Sequence, residues 1–432
     1  MRNIKDFGAV GDGITLDTKA IQRAIDMGGE VYIPQGTYLT GTLYLKSNGG
    51  LNFAPGAVLK ASHNREDYNA LDFCPQNIDC PAESMVGTHL ITAVEQENIF
   101  IKGYGIIDGD SHFWVNDSRI QDYCGFYDHP DITANRPGQM IFFAECKNIN
   151  ISEVTLLHSP FWHLFLHGCE NVHINSINIK GERKQWVNDG IDLDCCKNVT
   201  VSDCIIDTGD DAITLRANGK RLVKREGVCE NIVVQNCLLT SYLDYGIRIG
   251  VGEGIIKNCR FSNIIVRDTL MGIGITCRFN PRNDGGTTVE NLHFSDFNIE
   301  AHSPFNIRLS NRIAHPPLKT PCHIKNISFN NFNSECDRMS YILGFENGKI
   351  SDIKFNNCSF SFSKENPDNP RFACNNNDIP FKNTAFYISD TERISFNNVE
   401  FCGTKDIFDC DIAKGDSAYI IINNSDISER KV

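Results

Sequence analysis

The chain has 432 residues, 41% of them hydrophobic and 22% charged, with 34 glycines and 15 prolines. That composition suits a folded chain with a sizeable core and excludes collagen and broad disorder. The net charge of −13 repels phosphate backbones and anionic lipid, so neither nucleic acid nor a membrane is expected as a partner. No stretch approaches 18 uninterrupted apolar residues, the length a membrane helix needs. Met1-Arg2-Asn3-Ile4-Lys5-Asp6 opens the chain without an apolar h-region. The expectation is a cytoplasmic protein, or a secreted one if a leader has been removed.

In chain order, the first predicted element is a helix. Asp17-Thr18-Lys19-Ala20-Ile21-Gln22-Arg23-Ala24-Ile25 places Ile21, Ala24 and Ile25 on one face, with Asp17 as its expected cap. No segment past residue 30 sustains a 3.6-residue period. The chain beyond the helix is built on a repeat. Glu97-Asn98-Ile99-Phe100-Ile101, Lys147-Asn148-Ile149-Asn150-Ile151, Glu170-Asn171-Val172-His173-Ile174 and Lys197-Asn198-Val199-Thr200-Val201 share one pattern. It continues in Glu230-Asn231-Ile232-Val233-Val234, Glu290-Asn291-Leu292-His293-Phe294 and Lys325-Asn326-Ile327-Ser328-Phe329, and to Glu392-Arg393-Ile394-Ser395-Phe396. Each copy is a polar turn leading into an alternating strand. Asn suits the turn because it tolerates the left-handed region.

Copies recurring every two to three dozen residues, each too small to bury its own apolar face, predict stacked coils. The expected fold is all-β, a single-domain right-handed parallel β-helix over 1–432. A cap including the short helix fills about 1–45, and the last coils about 320–432. The helix is expected to cover the open end, where unpaired strand edges would template aggregation. Excursions from the coils, about 110–138, 180–188, 217–228, 278–288 and 310–321, are expected to wall a groove. Eighteen cysteines without a CxxC pair, several in a Cys-x-Asn-[Val/Ile] context, are expected to be buried thiols.

Two segments concentrate carboxylates: Asn188-Asp189-Gly190-Ile191-Asp192-Leu193-Asp194 and Asp207-Thr208-Gly209-Asp210-Asp211. Asp189 and Asp210 lie about one minimal coil apart. Asp211 and Asp244 share the spacing of Asn198 and Asn231. Equal phase on a solenoid means stacking, so Asp189, Asp210 or Asp211, and Asp244 are expected on adjacent coils. Crowded carboxylates cannot all ionise freely, and one pKa must rise. A protonated acid beside ionised carboxylates suits glycosidic cleavage. Asp192, Asp194, Asp203 and Asp207 are read as turn formers. His158, His167 and His173 are read as strand-surface residues. No metal or cofactor is expected.

These residues also carry a resemblance. Asp6-Phe7-Gly8-Ala9-Val10-Gly11-Asp12-Gly13, Tyr32-Ile33-Pro34-Gln35-Gly36-Thr37-Tyr38, Gly103-Tyr104-Gly105-Ile106-Ile107-Asp108-Gly109, Arg136-Pro137 and Ser159-Pro160-Phe161-Trp162 occur in order. With Asn188-Asp189-Gly190 and Gly209-Asp210-Asp211, the chain resembles the polygalacturonase-like glycoside hydrolases of family 28, which are right-handed parallel β-helices. The resemblance implies an inverting hydrolase acting on a carbohydrate. Asp210 is then the general acid, and Asp189 and Asp211 activate water, with carboxyl groups about 6.5–9.5 Å apart. Trp162, His163 and Asn188 are expected at the sugar site.

Two family motifs are missing. Where the family carries Gly-His-Gly, alignment on Ile249-Gly250 places Asp244. Where it carries Arg-Ile-Lys, this chain has Gly274-Ile275-Thr276. Arg248 and Arg278 are expected to substitute as cations for a uronate, with Arg216 and Arg308 as further candidates. The loss leaves the substrate open between polygalacturonate and a different glycan. Other readings of the same fold are a lyase, an epimerase, a fructan transglycosidase, or a glycan-binding solenoid without turnover.

Overall fold

The computed structural model of the chain describes residues 1–77, 87–114, 136–278, 285–310, 319–345, 349–364 and 383–432. Three of the expected excursions, about 110–138, 278–288 and 310–321, fall largely outside these residues. The chain gathers into two compact units. The first comprises Met1–Asp210 with Lys220–Glu226, and the second Asp211–Gly219 with Gly227–Val432.

The first unit is a stack of coils whose strands form three parallel ladders. The first ladder runs Arg2–Asn3, Gly29–Ile33, Gly49–Phe53, Glu97–Gly103, Lys147–Ser152, Glu170–Asn175 and Lys197–Ser202. The second runs Asp12–Leu16, Gly36–Thr40, Ala57–Ala61, Ile106–Asp108, Thr155–Leu157, Asn178–Lys180 and Ile205–Thr208. The third runs Leu43–Tyr44, Ile91–Val94, Ile141–Ala144, Leu164–His167 and Ile191–Asp194.

The repeat dictates this register. Asn98, Asn148, Asn171 and Asn198 all adopt left-handed backbone, φ 54–57°, the conformation Asn supports best after Gly. Their side-chain amides then donate from coil to coil: Asn148 to Asn98 at 2.9 Å, Asn171 to Asn148 at 3.2 Å and Asn198 to Asn171 at 3.1 Å. Cys146, Cys169 and Cys196 stand two residues earlier, fully buried. Each thiol donates to a carbonyl of the preceding coil, 3.2–3.3 Å away on Ala93, Phe143 and Leu166. Burial pushes the thiols of Cys146 and Cys169 well up. Among the described residues all cysteines are free, and all but Cys74 and Cys402 are buried.

The second unit keeps the parallel pairing with longer strands that bend round the coil: Val228–Ser241, Ile255–Arg278, Thr288–Ser310, His323–Cys336, Lys349–Phe362 and Thr391–Cys402. Its core is a file of stacked rings. Phe261, Phe294, Phe329, Phe355 and Phe396 succeed one another at centroid separations of 4.6, 4.9, 5.0 and 5.0 Å. Offset stacking of this kind adds to the burial of each ring.

The helix forms over Thr18–Asp26 and buries Ala20, Ile21, Ala24 and Ile25. Asp17 does not cap it. Its carboxylate instead accepts from the N–H groups of Val10 at 2.7 Å and Gly11 at 2.9 Å, so it fastens the preceding loop. No helix among the described residues is long and apolar enough to cross a membrane.

Candidate active site

The candidate residues of the first unit lie at the turns that lead from the second ladder position into the third. In the first unit, one such turn is Ser159-Pro160-Phe161-Trp162-His163, and the next coil carries Asn188-Asp189-Gly190. Gly209-Asp210 ends the unit.

Asn188 is fully buried and holds the acidic turn. Its side-chain oxygen accepts from the N–H groups of Gly209 at 2.8 Å and Asp210 at 3.0 Å. Its amide donates to the Glu182 carbonyl at 2.9 Å. Asp210 is 6% exposed, and its Oδ2 accepts from the Val187 N–H at 2.6 Å. The backbone at Asp189 is fixed from the other side. His163 donates from its backbone N–H and from Nδ1 to the Asp189 carbonyl, at 2.8 and 3.0 Å. Its Nε2 accepts from the Ser159 N–H at 3.3 Å. Burial lowers His163 to about 4, so the ring is neutral at pH 7, in agreement with one donating and one accepting nitrogen.

His163 and Asn188, expected at the sugar site, are therefore supports. Both are fully buried, and their polar atoms engage protein backbone. Trp162 is 3% exposed and packs with Phe142, Phe161 and Phe165 in an aromatic cluster. Arg136 carries the turn from beneath. Nη1 donates to the Pro160 carbonyl at 2.8 Å, and the guanidinium lies 4.6 Å from the Phe161 ring centre. Burial lowers Arg136 to about 10. Gln185 donates to the same carbonyl at 3.0 Å. Arg136 was visible in sequence as half of an Arg-Pro pair, whereas Gln185 had no signal.

The second unit carries Asp211, which is 2% exposed. Its Oδ1 accepts from the Tyr245 N–H at 3.2 Å and its Oδ2 from Arg248 Nη1 at 3.2 Å. Burial raises the Asp211 pKa, while Arg248, the Tyr245 N–H and Arg216 pull it down. Arg248 Nη1 also reaches Asp244 at 3.5 Å. The register corrects the expected phase here. Ile213 stands beside Ile247, so Asp211 faces Tyr245 and Asp244 comes one residue earlier.

Tyr245 had no signal in the sequence. Its hydroxyl meets the Asn306 amide, and Arg248 lies 5.3 Å from its ring centre. It also explains Gly274, since a Cβ there would lie 2.3 Å from the Tyr245 ring. The ring thus occupies the ground beside the position where the resemblance implies an arginine. Thr276 stands in register with Arg308, whose guanidinium lies 5.4 Å from the Tyr341 ring centre. Arg278 is buried four residues beyond Gly274 on the same strand, beside Ser310.

Other carboxylates differ from expectation. Asp192 and Asp194 are buried inside the strand Ile191–Asp194, not in turns. His167, expected on the surface, is fully buried with Nδ1 3.2 Å from Asp194. Asp207 is paired with Arg183 at 3.0 Å.

A family model described as Glycosyl hydrolases family 28 matches residues 76–386. The chain belongs to that family. A second model, Rhamnogalacturonase A/epimerase, pectate lyase-like, matches residues 1–57. Among family 28 relatives, a probable polygalacturonase of Vitis vinifera is 30% identical over 289 residues, covering 63% of this chain and 56% of its own. An exo-poly-alpha-D-galacturonosidase of Dickeya chrysanthemi is 26% identical over 331 residues, 66% of this chain and 53% of its own. The chain thus spans about half the length of these curated relatives. Among solved structures, a hyperthermoactive exopolygalacturonase from Thermotoga maritima superimposes with TM-score 0.70 at 21% identity, covering 93% of this chain and 91% of that one. The family 28 exopolygalacturonase of Yersinia enterocolitica gives 0.72 at 21% identity, covering 100% and 78%. At that identity the likeness is one of fold, the right-handed parallel β-helix.

Proposed function

We propose that the chain is a glycoside hydrolase that cleaves a uronate-containing glycan with inversion at the anomeric carbon. The observation that carries this reading is the buried run Asp210-Asp211. Two consecutive carboxylates out of water are costly, yet each is individually secured, Asp210 by Val187 and Asp211 by Tyr245 and Arg248. Groups of this kind are commoner at functional sites than elsewhere. Family membership supports the roles: Asp210 protonates the leaving oxygen, while Asp189 and Asp211 activate water. The second unit supplies Arg216, Arg248, Arg278 and Arg308, cations suited to a uronate carboxylate on a chain whose net charge is −13. The names of the relatives point to the same substrate class.

The test is NMR of the first product from polygalacturonate and from a carboxyl-reduced, neutral galactan. An inverted anomer from the acidic polymer alone is the expected result. Asp210→Asn is expected to lower kcat by about 10³-fold or more. Full turnover by Asp210→Asn, or a retained anomer, overturns the assignment.

A further inference from the structure

The first unit carries a second constellation, on the turns that come directly after its second ladder. Asp108, Leu157 and Lys180 are in register on successive coils. The chain leaves the ladder at matching points on these coils, and three side chains at different offsets beyond those points meet there. His112 comes after Ile106–Asp108, His158 after Thr155–Leu157, and Glu182 after Asn178–Lys180. The ligand-type atoms of His112, His158 and Glu182 all lie within 4.8 Å of one another. Glu182 Oε1 is 3.2 Å from His112 Nε2 and 3.7 Å from His158 Nε2.

We infer that His112, His158 and Glu182 form a binding site for a divalent transition metal of the zinc class. Tetrahedral bonds of about 2.0–2.1 Å place ligand atoms about 3.3 Å apart. Two of the three separations are already near that value. Two imidazoles with one carboxylate suit a zinc-class ion better than calcium or magnesium, which take oxygen donors.

A further contact marks His158 as a ligand. Its Nδ1 is 3.4 Å from Asp108 Oδ1 while its Nε2 faces Glu182. A carboxylate behind the far nitrogen orients a metal-binding histidine and raises its donor strength. The neighbouring Asp110 is excluded from the set, since Lys60 at 2.9 Å and His63 at 2.7 Å already take it. An open fourth position is left for water or a ligand oxygen. Glu182 also connects the ion to the acidic turn, because its carbonyl accepts from Asn188, which holds Gly209 and Asp210. Binding itself does not depend on the proposed hydrolysis.

Cobalt(II), with zinc(II) then added as competitor, titrated into the full chain tests the site by calorimetry and visible absorption. One equivalent is expected, with ligand-field bands of a nitrogen–oxygen site. His112→Ala, at an exposed residue, and Glu182→Gln, at a half-buried one, are each expected to weaken binding at least tenfold. Asp108→Asn is expected to weaken it 10–100-fold with the bands retained. Circular dichroism of the metal-free variants checks the fold. A thiolate-to-cobalt charge-transfer band, unchanged binding in both His112→Ala and Glu182→Gln, or no binding at millimolar cobalt overturns the inference.

Discussion

Asp211 is pulled in opposite directions by its surroundings. Loss of water raises its pKa, and the nearby guanidinium of Arg248 lowers it. If Asp211 acts ionised on water, Arg248 keeps it ionised. Replacing Arg248 with Met removes the larger opposing influence, so the Asp211 carboxyl holds its proton to higher pH. The acid limb of the kcat/KM–pH profile is then expected to move upward. Arg248→Lys should restore part of the shift, because a charge returns without the planar fork. A profile that keeps its acid limb in Arg248→Met would show that Asp211 does not set it.

At the scale of the element, the second unit rests on ring stacking. Phe329 touches rings on three sides: Phe294 at 4.9 Å, Phe355 at 5.0 Å and Phe305 at 4.7 Å. Phe329→Ala leaves a cavity in a continuous file that neighbouring rigid rings cannot close. A loss of about 3–5 kcal/mol in urea unfolding is expected, and a loss under about 1 kcal/mol would show that the coils relax around the gap.

These coils were readable in the sequence because one residue, Asn in left-handed backbone, recurs at one position and carries a side-chain ladder. The acidic turn was readable because Asp189 and Asp210 sit beside glycines and Asp211 directly follows Asp210. The features that stayed hidden depended on contacts across coils. Tyr245 looks like any strand aromatic until its ring is found over Gly274. His163 and Trp162 occur in a motif suggestive of sugar contact, and only burial shows them to be supports. Asp17 had the spacing of a helix cap, but two nearer N–H groups compete for its carboxylate.

At the scale of the molecule, an acidic surface coexists with a neutral histidine fixed inside the first unit. His163 is lowered to about 4 by burial, from an ordinary value of 6.5. Near pH 7 the ring is neutral both folded and unfolded, so its contribution is intact. As pH falls below 6.5 the unfolded chain gains a proton that the folded chain refuses, and stability is lost progressively down to about pH 4. One unit is worth about 1.4 kcal/mol, so this histidine alone accounts for roughly 3 kcal/mol across the window. Urea unfolding at successive pH values between about 7.5 and 4 should show that loss, and His163→Asn, which does not titrate, should remove this share and leave that of His89, which burial lowers to about 3. The same ring donates to the Asp189 carbonyl. Its protonation also turns the Nε2 acceptor into a donor facing the Ser159 N–H. That repulsion falls on the turn that carries the candidate carboxylate Asp189, so activity is expected to decline reversibly over the same range before the protein as a whole unfolds. An equal fractional fall of turnover between about pH 7.5 and 4.5 in the unaltered chain and in His163→Asn would remove His163 from the account of acid sensitivity.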